Sequence, residues 1–194
     1  MEIGATKAVQ YRLKTTKIEE SKGASLVFCW DTHLTKIKGR NVLFIVNASN
    51  RYTIAMTDIE PRNWNYYTMY IRRVIHGVMQ EMGYSEDQIG QYFKMSGDTT
   101  VTKTHGRKSV GGINRMVMDA QYFGKKLEKE AKYQWELSEY LNRDICQPEG
   151  FDAYGYPSEL FKLDMERLGI VTKRKPAKII DFTKYIDTNR STNH

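Results

Sequence analysis

The chain has 194 residues, of which 40% are hydrophobic and 27% are charged, and this composition favours a folded domain over a disordered chain. Its formal charge of +7 suits a polyanionic partner, although solvated lysine-rich helices produce the same excess. No run of about 18 apolar residues and no apolar leader is evident, which predicts a cytoplasmic protein. The two cysteines, Cys29 and Cys146, have neither a CxxC nor a zinc-finger spacing, so we expect neither a cofactor nor a structural metal.

Strand signals fill roughly the first 60 residues of the chain. Runs of large and β-branched side chains alternate there with short polar turns, which is the pattern of an antiparallel meander. The strongest run is 41–47, and a partner strand at 52–58 follows the polar turn at 48–50. The other elements expected in this half are a weak strand at 2–7, a basic helix at 8–20, and strands at 25–30 and 33–38.

Helical periodicity dominates the rest of the chain. Apolar residues three and four apart predict a helix that starts at Pro61 and ends before Gly83. Ser85 and Gln88 have capping-box spacing, which predicts a short helix over 85–94. The remaining expectations are an exposed or edge strand at 99–104, a long helix with a seam over 113–131 and a break near 130–133, and helices over 135–145 and 158–168.

The separation of strand signals from helical signals predicts an α+β fold, in which an N-terminal antiparallel sheet (a meander) is covered on one face by a C-terminal helical region. Residues 1–170 are expected to form a single domain. Residues 171–194 are interpreted as a basic linker at 173–175 and a tail that docks through its apolar residues, which are Ile179, Ile180, Phe182 and Ile186.

The stretch 97–115 is the strongest candidate for an anion site. It combines hydroxyls, cationic side chains and glycines at the predicted start of a long helix, where free backbone N–H groups attract anions. It contains neither a P-loop nor a GxGxxG motif, so the alternative is a solvated basic loop that only caps the helix. The expected phosphate or nucleic-acid contacts are Lys103, Thr104, Arg107, Lys108, Ser109 and Arg115, with Arg40 and Arg51 on the side of the hairpins.

Two histidines support a catalytic hypothesis. If the sheet brings His33 and His105 together, they could act as general base and general acid on an RNA 2′-hydroxyl, with a nearby cation stabilising the phosphorane. Lone histidines far apart in a sequence seldom form such a pair. A metal held by Asp31, His33 and Glu60 is a weaker hypothesis, because their spacing follows neither a helix nor a hairpin.

Several short motifs, taken in order, resemble one bacterial and phage family. They are Phe28-x-Trp30-x-x-x-Leu34-x-x-Ile37-x-Gly39-Arg40, then Asn47 and Arg51-Tyr52, then Thr102-Lys103-Thr104 with Arg107, Ser109, Gly111 and Asn114-x-Met116. The first block departs from the Trp-His-Ala-Asn-Leu type of the family, and the last is one residue longer. The resemblance covers about residues 1–120 and is to an uncharacterised domain of unknown function, so it implies no activity, cofactor or site residue.

Aromatic residues alternate with basic ones in several segments. This mixture suits stacking on nucleic-acid bases, but the rings could equally cover one face of the sheet. The interleaved segments are Tyr11-Arg12, Arg51-Tyr52, 64–73 and 122–132. With the positive charge, they predict a small nucleic-acid-binding protein. RNA is favoured over DNA because no helix-turn-helix or zinc finger is evident and tyrosine is abundant.

The identity of the partner stays open at this point. The general character of the chain is similar to that of phage or mobile-element factors that act on a guide-RNA nuclease, such as anti-CRISPR proteins, so the partner could be RNA or a ribonucleoprotein. The first alternative is a metal-independent ribonuclease that uses His33 and His105. The second is a protein-binding inhibitor or adaptor without catalytic activity, with contacts from the aromatic residues and the C-terminal helices. No membrane partner is expected.

Overall fold

A five-stranded mixed sheet forms the centre of the fold in the computed structural model, which describes residues 1–15 and 18–172. The strands are β1 (Glu2–Ala5), β2 (Cys29–Ile37), β3 (Arg40–Asn47), β4 (Thr53–Thr57) and β5 (Thr100–Thr102). Their order across the sheet is β4-β3-β2-β1-β5. The sheet and the helices that pack on it confirm the predicted α+β class.

The predicted meander is formed by β2, β3 and β4, which pair antiparallel in sequence order. The two strands expected at 25–30 and 33–38 are one continuous strand, β2, preceded by a 3-10 turn at Leu26–Phe28. β2 and β3 are joined by a two-residue turn in which Lys38 and Gly39 both have positive φ, at 49° and 82°. Such a turn matches the twist of the flanking strands, so it fixes the register of the hairpin.

The sheet is mixed because β1 pairs parallel with both of its neighbours, β2 and β5. Parallel neighbours need a long crossover, and between β1 and β5 the chain forms the meander and four α-helices. β5 lies at the end of the sheet, which confirms the edge strand expected at 99–104.

Seven helices pack against this sheet within the described residues. They are α1 (Lys7–Arg12), α2 (Pro61–Asn65), α3 (Tyr67–Glu81), α4 (Glu86–Ser96), α5 (Gly106–Gln121), α6 (Trp135–Asn142) and α7 (Pro157–Arg167). The capping box of Ser85 and Gln88 is present at the start of α4. α1 is shorter than the helix expected over 8–20, because the chain reverses at Lys14, where φ is 53°.

Helices cover both faces of the sheet, not one as expected. Leu43 and Ile45 of β3 pack with α3, α4 and α7, whereas Phe44 and Val46 pack with α5 and α6. Successive residues of a strand point to opposite faces, so a strand that is apolar without interruption must be buried on both sides. The run of apolar residues in β3 therefore required a second layer of helices.

The outer edges of the sheet are covered by neighbouring segments. α5 ends at Gln121, earlier than the seam over 113–131 predicted, because the following chain turns away and passes along β4. Three backbone N–H groups of β4 donate to that region: Thr57 to the carbonyl of Lys132 at 2.7 Å, Ala55 to Ser138 Oγ at 3.0 Å, and Thr53 to Asn142 Oδ1 at 2.8 Å. Next to β5, the N–H of Lys103 donates to the carbonyl of Glu19 at 2.9 Å.

The basic linker at 173–175 and the tail with Ile179, Ile180, Phe182 and Ile186 lie outside the described residues. The single domain over 1–170 stays a prediction. None of the helices in the described part of the chain combines the length and the apolar character needed to cross a membrane.

Candidate functional site

A buried ionic cluster lies where β1, β2 and the start of α5 meet. The imidazole of His105 stands between two carboxylates, with Nδ1 2.7 Å from Asp31 Oδ1 and Nε2 3.0 Å from Glu2 Oε2. The side chains of His105, Glu2 and Asp31 are 3%, 5% and 0% exposed. Charges this deeply buried persist in a fold only when each has partners.

Further donors satisfy the carboxylates of the cluster. Asp31 also accepts from the backbone N–H of His105 at 3.2 Å and from the hydroxyl of Ser109. Glu2 accepts from Ser21 Oγ at 2.6 Å and from the backbone N–H of Lys22 at 2.8 Å. The cluster is therefore a connected network held by both its carboxylates and its imidazole.

Hydrogen bonds within the network shift the pKa values of His105 and Glu2. Burial alone would lower the pKa of His105, but its hydrogen bond to Asp31 and the contact with Cys29 outweigh burial and raise that pKa to about 10. Burial would raise the pKa of Glu2, but hydrogen bonds from Ser21 and His105 lower it instead. Without a metal, the network thus favours the protonated form of His105 and the ionised form of Glu2.

Gly4 of β1 makes room for the cluster. A Cβ atom at this position would lie 1.8 Å from Asp31 Oδ1 and 3.0 Å from the Cα atom of Thr104. Any side chain on Gly4 would push the Asp31 carboxylate away from His105. The Asp31 side chain and the backbone of Thr104 approach β1 too closely here for any residue larger than glycine.

The two histidines of the catalytic hypothesis have different surroundings. His33 is half-buried, and its Nδ1 lies 3.2 Å from Thr6 Oγ1, while burial lowers its pKa. No hydrogen bond joins His33 to His105 among the described residues, and both ring nitrogens of His105 are occupied. The catalytic pair stays a prediction that this geometry does not favour. Glu60, from the weaker metal hypothesis, pairs with Arg62 and Lys132 instead.

Most of the cations expected to bind phosphate have partners within the chain. Exposed ion pairs of this kind contribute little to stability, so a phosphate could displace them. Three of the cations form ion pairs: Lys103 with Glu20, Arg115 with Asp119 and Arg40 with Asp58. Lys108 donates a hydrogen bond to the carbonyl of Pro148, and Ser109 donates one to Asp31. Of the other predicted residues, Arg51 and Thr104 are half-buried and Arg107 is exposed. His105 and Ser109 of the stretch 97–115 are held in the buried cluster, whereas its exposed cations are open only to an anion that displaces their partners.

Cationic residues collect where β1 and β5 end. These strands are parallel to each other, so their carboxyl ends lie on the same side of the molecule, and α1 and α5 begin just beyond them. Open sheets with parallel strands commonly bind ligands beyond the carboxyl ends of the strands. The exposed cations that follow the two strands are Lys7, Arg12 and Lys14 on one side, and Lys103, Arg107 and Lys108 on the other.

Three adjoining depressions surround Arg12, and we call them the Arg12 groove. Their volumes are about 300, 440 and 270 Å³. The Arg12 guanidinium lies 5.7 Å from the centre of the Trp64 ring, beside Tyr11, which is 88% exposed. Trp64 in turn stacks on Tyr67 at 5.6 Å, with 5° between the ring planes. The buried indole N–H of Trp64 has no acceptor among the residues described.

A second groove, which we call the α5–α6 groove, has a volume of about 570 Å³ and a different character. Trp135 and Tyr140, which are 42% and 43% exposed, form part of its wall together with Phe123. Acidic side chains outnumber basic ones there: the groove is lined by Asp119, Glu136, Glu139 and Asp144 against Lys125 and Arg143.

Sequence reasoning missed two members of the cluster, Glu2 and Cys29. Glu2 lies in a weak strand signal and is 103 residues from His105. Cys29 is a buried free thiol, and its spacing from the other cysteine gives no sign of the cluster. No local motif could have linked these residues, because only the parallel pairing around β1 brings them together.

Comparisons with known proteins give a family but no activity. A family model described as "Domain of unknown function (DUF6933)" matches residues 2–160, which confirms the resemblance and extends it beyond residue 120. No curated protein and no solved structure matches the chain.

Proposed function

We propose that this chain, which belongs to the DUF6933 family, binds single-stranded nucleic acid in the Arg12 groove, with RNA favoured over DNA. The observation that carries the proposal is the Arg12 guanidinium over the Trp64 ring, next to the exposed ring of Tyr11. Proteins that bind single strands combine cations for the phosphates with aromatic faces on which bases stack. The Arg12 groove presents cationic and aromatic side chains on one surface.

The dimensions of the groove favour a single strand over a duplex. Each depression is small, between about 270 and 440 Å³, which suits an unstacked base and not a double helix. Asn41 and Asn65 line the same depressions and offer amide groups to a base edge or to a ribose 2′-hydroxyl. Lys7 and Lys14 are exposed on the same part of the chain and can contact flanking phosphates.

Tyr11 provides the sharpest test because its exposure makes its replacement harmless to the fold. We expect Tyr11→Ala to weaken binding of a fluorescent mixed-sequence single-stranded RNA by about 5- to 150-fold, since stacking contributes ~1–3 kcal/mol per base. Fluorescence anisotropy measures the affinity. The affinity should also fall with salt, with a logarithmic slope of about −0.7 for each phosphate contacted.

Matched ligands and a matched variant make the result specific. Tyr154→Ala removes another exposed tyrosine, 70% accessible and outside the groove, and should leave affinity unchanged. Single-stranded DNA of the same sequence should bind more weakly than RNA, and duplex RNA more weakly still. Absence of binding at low salt, or equal effects of the two tyrosine variants, would contradict the proposal.

The α5–α6 groove supports a second candidate function, the binding of a cationic protein segment. Aromatic faces bordered by carboxylates attract guanidinium and ammonium groups through both charge and the ring quadrupole. Glu136, Glu139 and Asp119 pair with Lys125, Arg143 and Arg115, and these exposed ion pairs are weak enough for a cationic segment to displace. The lining has more carboxylates than cations, which is the opposite of the overall charge of +7.

Peptide binding distinguishes the two candidates. An arginine- and lysine-rich peptide should bind the wild type, and Trp135→Ala should weaken that binding without changing the affinity for RNA. Glu149→Gln, at an exposed carboxylate that does not line the groove, is the control for charge. Equal peptide affinity of Trp135→Ala and wild type in a calorimetric titration would exclude this candidate.

A further inference from the structure

The buried cluster contains the donor atoms of a metal site. One atom each from Glu2, Cys29 and His105 (a carboxylate oxygen, a thiol sulfur and a ring nitrogen) all lie within 4.8 Å of one another. The three residues are 3%, 0% and 9% exposed. Unlike an acidic patch on a surface, the group is enclosed by the sheet and by the segment that carries Ser21 and Lys22.

We propose that Glu2, Cys29 and His105 bind a zinc ion. Thiolate, imidazole and carboxylate are the ligands that zinc takes in proteins, whereas magnesium and calcium prefer oxygen alone. The assignment goes beyond nucleic-acid binding and does not depend on it, because none of the three residues lines the Arg12 groove.

The neighbours of the three ligands are placed as the outer shell of a metal site requires. Asp31 accepts from Nδ1 of His105 at 2.7 Å, which fixes the ring and leaves Nε2 as the ligand atom. A carboxylate on the far nitrogen of a metal-binding histidine is a recurrent arrangement. Glu2 is held in the same way by Ser21 Oγ and by the backbone N–H of Lys22.

The exchange of protons for the metal balances in charge. Zinc takes the place of the proton between Nε2 of His105 and Glu2, and of the thiol proton that Cys29 shares weakly with the carbonyls of Ala24 and Ser25 at 3.6 and 3.5 Å. Two protons leave and one divalent ion enters, so the formal charge of the cluster is unchanged. The metal therefore adds no uncompensated charge to a buried site.

Metal content and cobalt spectroscopy test the site directly. Protein purified without a metal-affinity step and desalted should contain about one zinc per chain by elemental analysis, as expected for a single site. Metal-free protein titrated with Co²⁺ should develop a near-ultraviolet sulfur-to-cobalt charge-transfer band that saturates at about one equivalent. Added zinc should abolish the band.

Variants identify the ligands. Cys29→Ser should lose the charge-transfer band, and Glu2→Gln and His105→Gln should weaken cobalt binding. Cys146→Ser is the control, because Cys146 is the other buried free thiol and lies in a separate small apolar cluster. It should keep the full band and the full zinc content.

The wild type decides the outcome even if a ligand variant fails to fold. A metal-free wild type that is folded by circular dichroism and gives no charge-transfer band with cobalt would overturn the proposal. A band that survives in folded Cys29→Ser, or one that disappears in Cys146→Ser, would overturn the assignment to Glu2, Cys29 and His105.

Discussion

The pKa values of His33 and His105 are shifted in opposite directions because of what lies beside each ring. Asp31 and His33 are two residues apart in β2, so they face the same side. His105 contacts the Asp31 carboxylate there and has its pKa raised to about 10, whereas His33 contacts the hydroxyl of Thr6 and has its pKa lowered by burial. A carboxylate stabilises an imidazolium, and a hydroxyl in a half-buried setting does not.

The lowered pKa of His33 predicts a loss of stability in mild acid. Below the unfolded value of 6.5, the unfolded chain takes up a proton at His33 before the folded chain does, so the free energy of unfolding falls as the pH drops towards the folded pKa. His33→Asn should reduce this fall. The measurement is urea unfolding followed by circular dichroism between about pH 5 and 7, with a metal chelator present.

Thr6→Val is the matched control for His33→Asn. It removes the hydrogen bond to His33 but keeps the titrating ring, so it should lower stability while the dependence on pH persists. A pH dependence that is the same in His33→Asn as in the wild type would show that another group titrates in this range.

At the scale of elements, the packing of β1 depends on one small residue. Gly4 lies where the Asp31 carboxylate passes to reach His105, and a Cβ there would collide with it. We expect Gly4→Ala to destabilise the protein by about 1–3 kcal/mol or more, the usual cost of overpacking a filled interior. The melting temperature by calorimetry measures the effect.

Gly90 offers the comparison within the same chain. It is exposed in the middle of α4, and an added Cβ would meet nothing within 4 Å. Gly90→Ala should therefore stabilise the protein by up to ~1 kcal/mol through helix propensity. If both alanine variants shifted the melting temperature in the same direction, steric exclusion at Gly4 would not be the explanation.

The sequence predicts the elements of this fold better than their pairing. The β3 run, the turn at 48–50, the capping box of α4 and the edge position of β5 all follow from patterns within a few residues, and the structure confirms them. The parallel placement of β1 and the helices on both faces depend on contacts between distant segments. The same reason hid the cluster, because its imidazole and carboxylates come from three separate parts of the chain.

The Arg12 groove shows the same division between pattern and placement. The neighbouring Tyr11 and Arg12 stand out in the sequence, and so does the aromatic segment that begins at Trp64. Only the fold brings Arg12 over the Trp64 ring. By contrast, the basic stretch that the sequence favoured has most of its cations engaged with partners inside the chain.

At the scale of the whole molecule, side chains close one edge of the sheet. The amide of Asn142 accepts from the Thr53 N–H and donates to the Thr53 carbonyl, both at 2.8 Å, much as a neighbouring strand would. Exposed strand edges promote edge-to-edge association. We expect Asn142→Ala to cost about 1–3 kcal/mol, because it leaves two buried backbone groups without partners, and to increase association, measured by light scattering on warming.

Asn114→Ala is the control for the edge variant. Asn114 is exposed on α5, so its replacement should change neither stability nor scattering. Asn142→Ala could unfold at a lower temperature and yet scatter no more light than Asn114→Ala at the same fraction folded. In that case the Asn142 amide would stabilise the fold without preventing association at the sheet edge.

The position of β1 between β2 and the edge strand β5 has a consequence for the time course of folding. β1 can pair with β2 early, but its other neighbour, β5, comes only after α4, and Glu2 and His105 are separated by 103 residues. The entropy of closing long loops is lost before such contacts can stabilise the chain, and this slows folding. During synthesis, the side of β1 that pairs with β5 therefore stays unpaired until β5, at Thr100–Thr102, has been made. The interval in which the chain is open to misassembly is set by this delay and not by the stability of the finished fold.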